Sequence, residues 1–422
     1  MSGVVQSEAE EAAPDGQAQT SRHGRAAFAF IFVTVLLDML ALGVIMPVLP
    51  KLVESFVGHD TATAARYLGL FGTAWALMQF FFAPVLGAMS DRFGRRPVVL
   101  MSNFGLALDY VLMAWAPTLV WLFVGRVISG ITSASVSTAF AYIADVTAPE
   151  KRPQAFGLIG AAFGAGFILG PAIGGLLGGM DPRLPFWVAA GLSFANALYG
   201  LFVLPESLPP ERRAPFRWRS ANPVGALRLL ASQRALVGLS AVNFIGQLAH
   251  VVLPSTYVIY ASYRYGWDEK TVGLTLALVG VCSMIVQGGA IAPAIKRFGE
   301  RTTLLIGLTF GMLGFLVTAV APTGRLSWLG IPLLALWGLA SPATQGLMTR
   351  LVDPTKQGQL QGANSSVQSV AQLLGPGLFT LTFATFIAHG HDLPGAPFYL
   401  AALLMLVTLA IAMQVMTWLP RS

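Results

Sequence analysis

Three ionisable side chains interrupt long apolar runs of the sequence, and their types suit the binding and release of a proton. Asp38, Asp109 and Arg126 each lie well inside such a run. If the runs cross a membrane, each charge near a helix centre costs about 2.5–3.5 kcal/mol on insertion scales, so a lipid-facing position without a partner is disfavoured. Desolvation also favours the neutral form of a carboxyl. The two aspartates are therefore candidate proton carriers near neutral pH.

Asp109 and Arg126 lie at matching depths in neighbouring runs. Counted from the short loop between the runs, Asp109 is about six residues and Arg126 about seven residues away, at about 1.5 Å of rise per residue. An ion pair between adjacent helices is therefore feasible. Such a pair is either static, fixing the register of the helices, or switches during a working cycle. Asp38 has no equally obvious partner, and it either carries a proton or stays protonated and hydrogen-bonded.

A charged turn between two apolar runs recurs about half a chain length later. The stretch Asp91-Arg-Phe-Gly-Arg-Arg-Pro97 has a weaker copy in Arg297-Phe-Gly-Glu-Arg301, 205 residues further on in a chain of 422 residues. Gly170-Pro171 and Gly375-Pro376 are separated by the same offset. Recurrence in the same direction predicts one six-helix unit used twice, with parallel halves.

The composition indicates a chain whose solvent is a lipid bilayer. It is 55% hydrophobic and only 11% charged, whereas a soluble domain averages about 25% charged residues. The single cysteine, Cys282, excludes an intramolecular disulfide, and Cys/His spacing typical of zinc sites is absent from the sequence. No metal or cofactor is expected.

The apolar runs are long enough for about twelve membrane spans of about 20 residues each. The predicted spans are 27–49, 67–89, 97–115, 119–144, 153–178, 185–204, 235–260, 270–294, 302–321, 326–349, 358–388 and 395–419. With a cytoplasmic N-terminus, 19 of the 26 Lys and Arg residues fall in cytoplasmic segments and six in outer loops. This asymmetry predicts that both termini are cytoplasmic. Because the charges are dispersed over short loops, the net charge of +7 indicates topology and membrane lipids, not a nucleic-acid partner.

These patterns predict an all-α membrane protein of two six-helix bundles. We expect a disordered cytoplasmic tail at 1–25, an N-terminal bundle at 26–205, a cytoplasmic linker at 206–234 and a C-terminal bundle at 235–420. The tail lacks the apolar core of a signal peptide.

The second half contains no acid inside a predicted span, and it offers neutral polar side chains in helical rows instead. Amides both donate and accept hydrogen bonds, which suits a neutral or zwitterionic ligand, although bonding between helices explains each of them about equally well. His250 is either a satisfied core histidine or a group that titrates near neutral pH. The candidate cavity residues of this kind are Gln79, Asn243, Gln247, His250, Gln287 and Gln368, with Asn364 and Gln372 in the same row as Gln368.

The charged turn also predicts a cytoplasmic gate. Asp91, Arg95, Arg96 and Asp145 fall at the cytoplasmic ends of their spans, and Asp145 precedes Asp353 by 208 residues. A cluster of both signs could hold that side shut while a cavity opens outwards. The positive-inside rule alone would account for the arginines but not for the aspartates.

Several stretches are similar to those of a known family. Gly87–Pro97 resembles the signature of the major facilitator superfamily between spans two and three, and Gly166–Gly175 resembles its antiporter signature. Leu37–Pro50, Gly125–Thr132 and Gln357–Gly362 most resemble the tetracycline/proton antiporter group. The resemblance extends from about residue 30 to residue 410.

The resemblance implies the fold of that superfamily and transport coupled to protons. It implies that Asp38, Asp109 and Arg126 are the coupling residues. It also implies an antiporter motif formed by Gly166, Gly170, Pro171 and Gly174.

The chain departs from the tetracycline group at two positions. Where that group usually carries a histidine in span eight and an aspartate in span nine, this chain has Ser283 and Gly311. Ser283 therefore joins the candidate cavity residues. The departures argue against tetracycline itself as the substrate.

Together, residues and resemblance predict a secondary transporter of the cell (inner) membrane. It would export a small amphipathic compound, a drug or tetracycline-like molecule, in exchange for protons by alternating access. It would work as a monomer without a cofactor. The alternative is uptake or facilitated diffusion of a small metabolite. No enzyme activity is expected, because the sequence offers neither a Ser/His/Asp set nor metal ligands.

Overall fold

The computed structural model describes residues 15–132, 135–147, 152–213, 230–353, 357–388 and 393–419, and over these residues the chain is helical without a β-strand. The helices up to residue 205 are α1 (Asp15–Ile45), α2 (Leu49–Phe56), α3 (Thr61–Phe93), α4 (Arg95–Trp115), α5 (Leu119–Thr132), α6 (Ser135–Val146), α7 (Arg152–Gly178) and α8 (Leu184–Phe202). Those of the second half are α9 (Arg234–His250), α10 (Val252–Tyr265), α11 (Glu269–Ile285), α12 (Ile291–Val320), α13 (Gly324–Ser327), α14 (Gly330–Trp337), α15 (Ala340–Arg350), α16 (Gln357–Ala388) and α17 (Ala396–Trp418).

Ten helical stretches of the described chain are long and apolar enough to cross a membrane. Two of the predicted runs share one of them, since α11, a π-helical turn at Val286–Ala290 and α12 form a continuous path of 52 residues. The predicted span 119–144 contains the shorter α5, after which residues 133 and 134 lie outside the described chain.

The predicted disordered tail at 1–25 is too long. The helix α1 begins at Asp15, so residues 15–25 are helical, and residues 1–14 lie outside the described chain. Once a helix is nucleated, each further residue adds a hydrogen bond, so the helix of the apolar run continues backwards into this stretch. Most of the predicted linker, residues 214–229, also lies outside the described residues.

Two predicted spans are interrupted where proline removes a backbone donor. Pro254 cannot donate to the carbonyl of His250, and α9 ends at that residue. Pro342 likewise follows the break between α14 and α15 at Gly338. The residues at these breaks keep right-handed helical φ and ψ values, so each pair of helices still forms one membrane-crossing stretch.

The repeat predicted from the charged turn is visible in the backbone. Gly94, between α3 and α4, has φ 107° and ψ 161°, and Gly299, 205 residues later, has φ 73° and ψ 166°. Residues that carry a Cβ atom rarely adopt such positive φ values, so both turns need glycine.

Two aspartates begin corresponding helices in the two halves. Asp60 accepts from the backbone N–H groups of Ala62 and Thr63 at the start of α3, and Asp268 accepts from that of Thr271 at 2.8 Å at the start of α11. The hydroxyl of Thr63, together with these backbone groups, holds the pKa of Asp60 below its ordinary value. Such caps satisfy donors that a helix start leaves unpaired.

The glycines of the predicted antiporter motif let α1 and α7 pack backbone against backbone. A Cβ atom at Gly170 would lie 2.7 Å from the Cα of Gly43, and one at Gly174 would overlap the carbonyl oxygen of Val44. A Cβ atom at Gly166 would likewise lie too close to atoms of Met39 and Leu40. Pro171, on the same helix, is buried. These glycines therefore allow the backbones of α1 and α7 to approach closely.

Candidate functional site

The predicted pair between α4 and α5 is formed and deeply buried. The Nη2 of Arg126 lies 2.5 Å from the Oδ2 of Asp109, and the two side chains are 10% and 0% exposed. Gly125 makes room for this pair, because a Cβ there would lie 2.5 Å from the Oδ1 of Asp109. Arg126 also contacts the sulfur of Met113 at 3.0 Å. The geometry agrees with the matched depths, and the role of the pair in proton coupling stays a prediction.

Asp38 has a partner that the sequence did not indicate. It is 3% exposed, and its Oδ1 accepts a hydrogen bond of 2.8 Å from the Nδ2 of Asn196 on α8. The only signal in the sequence was an asparagine in the middle of an apolar run. Asp38, Asp109 and Arg126 are all close enough to the buried Tyr110 for their charges to act on its hydroxyl, so the three predicted coupling residues lie in one region of the first half.

The charged residues of the predicted gate lie within the first half. The Nε of Arg95 bonds Asp145 at 2.9 Å, and its Nη1 bonds Asp91 at 2.5 Å. Arg96 donates to the backbone carbonyls of Gly200 and Leu201 on α8. The cluster therefore ties α3, α4, α6 and α8 together, and its action as a latch between the halves stays a prediction.

Sequence reasoning missed Glu206, which it placed in the linker. The carboxylate of Glu206 accepts from the backbone N–H groups of Arg95 at 2.8 Å and Arg96 at 3.3 Å. An acid at the N-terminus of a helix is stabilised by the free N–H groups and by the helix dipole. Glu206 thereby fixes the end of α8 to the start of α4.

The second half repeats the Arg95–Asp145 pair with its charges reversed. Glu300 lies 205 residues after Arg95 and Arg350 lies 205 residues after Asp145, and their side chains are 2.9 Å apart. By the common offset of 205 residues, the counterpart of Asp145 is Arg350 rather than Asp353, which follows Asp145 at 208 residues. The repeat conserves the position of this bridge between helices but not its polarity.

Several predicted cavity residues are exposed within the spans, most of them in the second half, and we call this set of side chains the polar face. His250, Gln287 and Gln368 are exposed although they lie within membrane-spanning stretches, and the remaining predicted cavity residues, Gln79, Asn243, Gln247 and Ser283, are partly exposed. Polar side chains within spans face a protein interior or a wet cavity. Asn364 instead donates to the Oε1 of Gln345 at 3.0 Å, so bonding between helices explains that amide.

An aromatic side chain occupies the space beside Gly311. A Cβ at Gly311 would lie 2.8 Å from the Cγ of Trp337 and 2.8 Å from the terminal methyl of Met405. The Trp337 ring also packs against Phe315 and, with centroids 5.5 Å apart, against His250. An aspartate does not fit at position 311 without displacing Trp337.

The two halves are in contact near one end of the spans. The loops at this end contain few Lys and Arg residues, and we call it the outer end. There Gly175 of α7 packs against Glu269 and Gly273 of α11, and Gly72 of α3 packs against Pro376 of α16. Towards the opposite end, called the inner end, the polar side chains of α16 are exposed at Gln361, Ser365 and Gln368. The α16 side chains of the polar face are therefore exposed towards the inner end in this conformation.

Membrane-crossing helices, a buried charged pair and a polar face open towards one end define the protein as a membrane transporter. The chain belongs to the Major Facilitator Superfamily, whose profile matches residues 31–376. The predicted family is thereby confirmed, as are the predictions of a multi-pass protein of the cell (inner) membrane and of a transporter rather than an enzyme.

Two relatives share much of the sequence. The chain is 41% identical over 379 residues to the tetracycline resistance protein, class C, of Escherichia coli, covering 88% of this chain and 94% of that relative. It is 40% identical over 350 residues to the class G protein of Vibrio anguillarum, covering 82% and 88%. These similarities confirm the resemblance to the tetracycline resistance group.

Two solved structures share the fold. The human organic anion transporter MFSD10 (TETRAN) is 26% identical, with a TM-score of 0.68 over 92% of this chain and 99% of that one. The nucleoside transporter NupG is 14% identical with a TM-score of 0.77 over the same shares, a similarity that concerns the fold alone.

Proposed function

We propose that the protein is a proton-coupled antiporter that exports a small amphipathic compound by alternating access. The observation that carries the proposal is the buried Asp109–Arg126 pair beside Asp38 in a chain whose halves are closed at the outer end. The names of its relatives as tetracycline resistance proteins support export of an antibiotic-like molecule.

In the proposed topology the chain has twelve spans, with both termini in the cytoplasm. Division of the 52-residue stretch at Gly299 gives one further span, and α5 with α6 gives another, beyond the ten stretches counted above. The inner end then faces the cytoplasm, in agreement with the distribution of Lys and Arg.

The proposed cycle follows the charge state of the first half. In the conformation described here Arg126 pairs with an ionised Asp109, and substrate enters the polar face from the cytoplasm. The halves then rock, which opens the outer end. Protons from outside neutralise Asp38 and Asp109, substrate leaves, and the protonated form returns inwards. Release of the protons re-forms the Asp109–Arg126 pair. The proton gradient supplies the energy, so the proposed cycle needs no cofactor.

The second half shapes the compound that is carried. It contributes His250, Trp337 and amides, and none of the spans predicted for it from the sequence carries an acid. Such a wall favours a compound with an aromatic or apolar body and several hydrogen-bonding groups. The change at Ser283 and the filled space at Gly311 predict a range of compounds that differs from that of the tetracycline group.

A drug panel tests the proposal in cells. Cells that produce the protein should tolerate at least one compound among tetracycline, chloramphenicol, a fluoroquinolone and ethidium better than cells without it. Asp38→Asn, produced to the same level in the membrane, should remove the tolerance because it cannot exchange a proton. Equal tolerance with Asp38→Asn would contradict the proposal.

A further inference from the structure

Asn196 is held in one orientation by two oxygen atoms of α1. Its Nδ2 lies 2.9 Å from the backbone carbonyl oxygen of Thr34 and 2.8 Å from the Oδ1 of Asp38. A backbone carbonyl only accepts hydrogen bonds, so the amide must turn its NH2 group towards Thr34. The second hydrogen of that group then points at Asp38. Asp38 therefore meets a donor at Oδ1 whether or not it carries a proton.

Asp38 takes part in at least one further interaction besides the bond from Asn196, and the helices packed around it bring several ionisable side chains. From α4 and α5, Tyr110, Asp109 and Arg126 belong to the same electrostatic group. Helix α7, which packs along α1, has no ionisable side chain between residues 159 and 178, and α8 offers only Tyr199. Helix α6, the third helix on α1, brings Tyr142 and Asp145.

Stability alone does not explain an amide at this position. Asn196 is 0% exposed, and its Oδ1 accepts no hydrogen bond from the described residues. A buried acceptor without a partner is costly, whereas leucine has a similar size and would bury no polar atom. The asparagine therefore lowers the stability of the packing around α8, and it supplies one hydrogen-bond donor directed at Asp38.

We propose that Asn196 is a positioning residue that stabilises the ionised form of Asp38 and so sets the pH at which this carboxyl exchanges its proton. A donor that faces a carboxylate favours the charged form, while burial opposes it. The inference rests on the proposed function, in which Asp38 carries a proton. Because α1 and α8 belong to the same half, the hydrogen bond from Asn196 to Asp38 persists when the halves rock. The ionised form of Asp38 is therefore stabilised in both conformations.

Infrared difference spectroscopy of the purified full-length protein in lipid nanodiscs tests the inference without a substrate. The carbonyl band of a protonated carboxyl that disappears in Asp38→Asn reports Asp38, and it is followed as the pH is changed. Asn196→Leu removes the donor, which leaves the neutral form relatively more stable. The midpoint should therefore move to higher pH, by at least about one unit, a tenfold change in proton binding. Asn196→Ala removes the same donor with a smaller side chain and should move the midpoint in the same direction.

Asn103→Leu is the matched control. Asn103 on α4 is also 0% exposed, and its side chain makes no hydrogen bond to any described residue. Its substitution should leave the Asp38 midpoint in place. An unchanged midpoint in both Asn196 variants, or an equal shift in Asn103→Leu, would overturn the inference while Asp38 still titrates. If no carbonyl band depends on Asp38 at any pH, the proposal that Asp38 carries a proton is contradicted as well.

Discussion

Arg126→Met is expected to lower the free energy of unfolding by about 3–5 kcal/mol and to abolish transport. The substitution leaves Asp109, whose side chain is 0% exposed, as a buried charge without its cation. Asp109 would then have to be protonated or to draw water into the protein. Equilibrium unfolding of the purified protein in detergent micelles measures the loss of stability.

The double variant Asp109→Asn/Arg126→Met separates the structural from the functional role of the pair. Without either charge, much of the lost stability should return, because no buried ion lacks a partner. Proton-driven transport should not return, since asparagine cannot exchange a proton. Recovery of both properties would mean that the pair only fixes the register of α4 and α5.

Gly175→Val is expected to prevent closure of the outer end and to reduce transport at least about tenfold, the effect of about 1.4 kcal/mol on the barrier. A Cβ at Gly175 would overlap the carbonyl oxygen of Glu269 and lie 3.0 Å from the Cα of Gly273. Both are backbone atoms of the other half, so they cannot turn aside as a side chain can. The protein should accumulate in a conformation that is open outwards.

A cysteine on the polar face reports this shift. In a Cys282→Ser background, Gln368→Cys should react with an impermeant maleimide from the cytoplasmic side. When Gly175→Val is added, the reaction should move to the outer side. Gly160→Val is the control on the same helix, because no atom lies within 4 Å of a Cβ at that position. Labelling of the Gly175→Val protein from the cytoplasm only would contradict the assigned outer contact.

Hydropathy and spacing predicted much of the helical architecture. The predicted span 97–115 corresponds to α4, and 185–204 corresponds to α8 within two residues. Hydropathy placed a break between the runs at 270–294 and 302–321, and Gly299, whose φ and ψ are not helical, lies within that break, where two helices meet at a kink. The breaks at Pro254 and Pro342 lie inside apolar runs, where hydropathy has no signal.

The site could be predicted from the sequence where the depth of a residue within its span, or the helical period, indicates which residues lie close together. Matched depths indicated that Asp109 could pair with Arg126, since both residues are close to one short loop. No spacing rule joins Asp38 to Asn196, because their contact depends on how α1 packs against α8. The sequence likewise did not indicate that Trp337 packs beside Gly311. A glycine does not show which neighbouring residue fills the space where another residue would have a side chain.

The central claim is that a proton gradient drives export through Asp38 and Asp109. In proteoliposomes that contain only this protein, a compound identified by the drug panel is followed across the membrane under an imposed pH gradient. The account predicts that transport against the concentration gradient collapses when the pH gradient is dissipated, and that it is absent in Asp38→Asn. Transport that continues at the same rate without a pH gradient would contradict it.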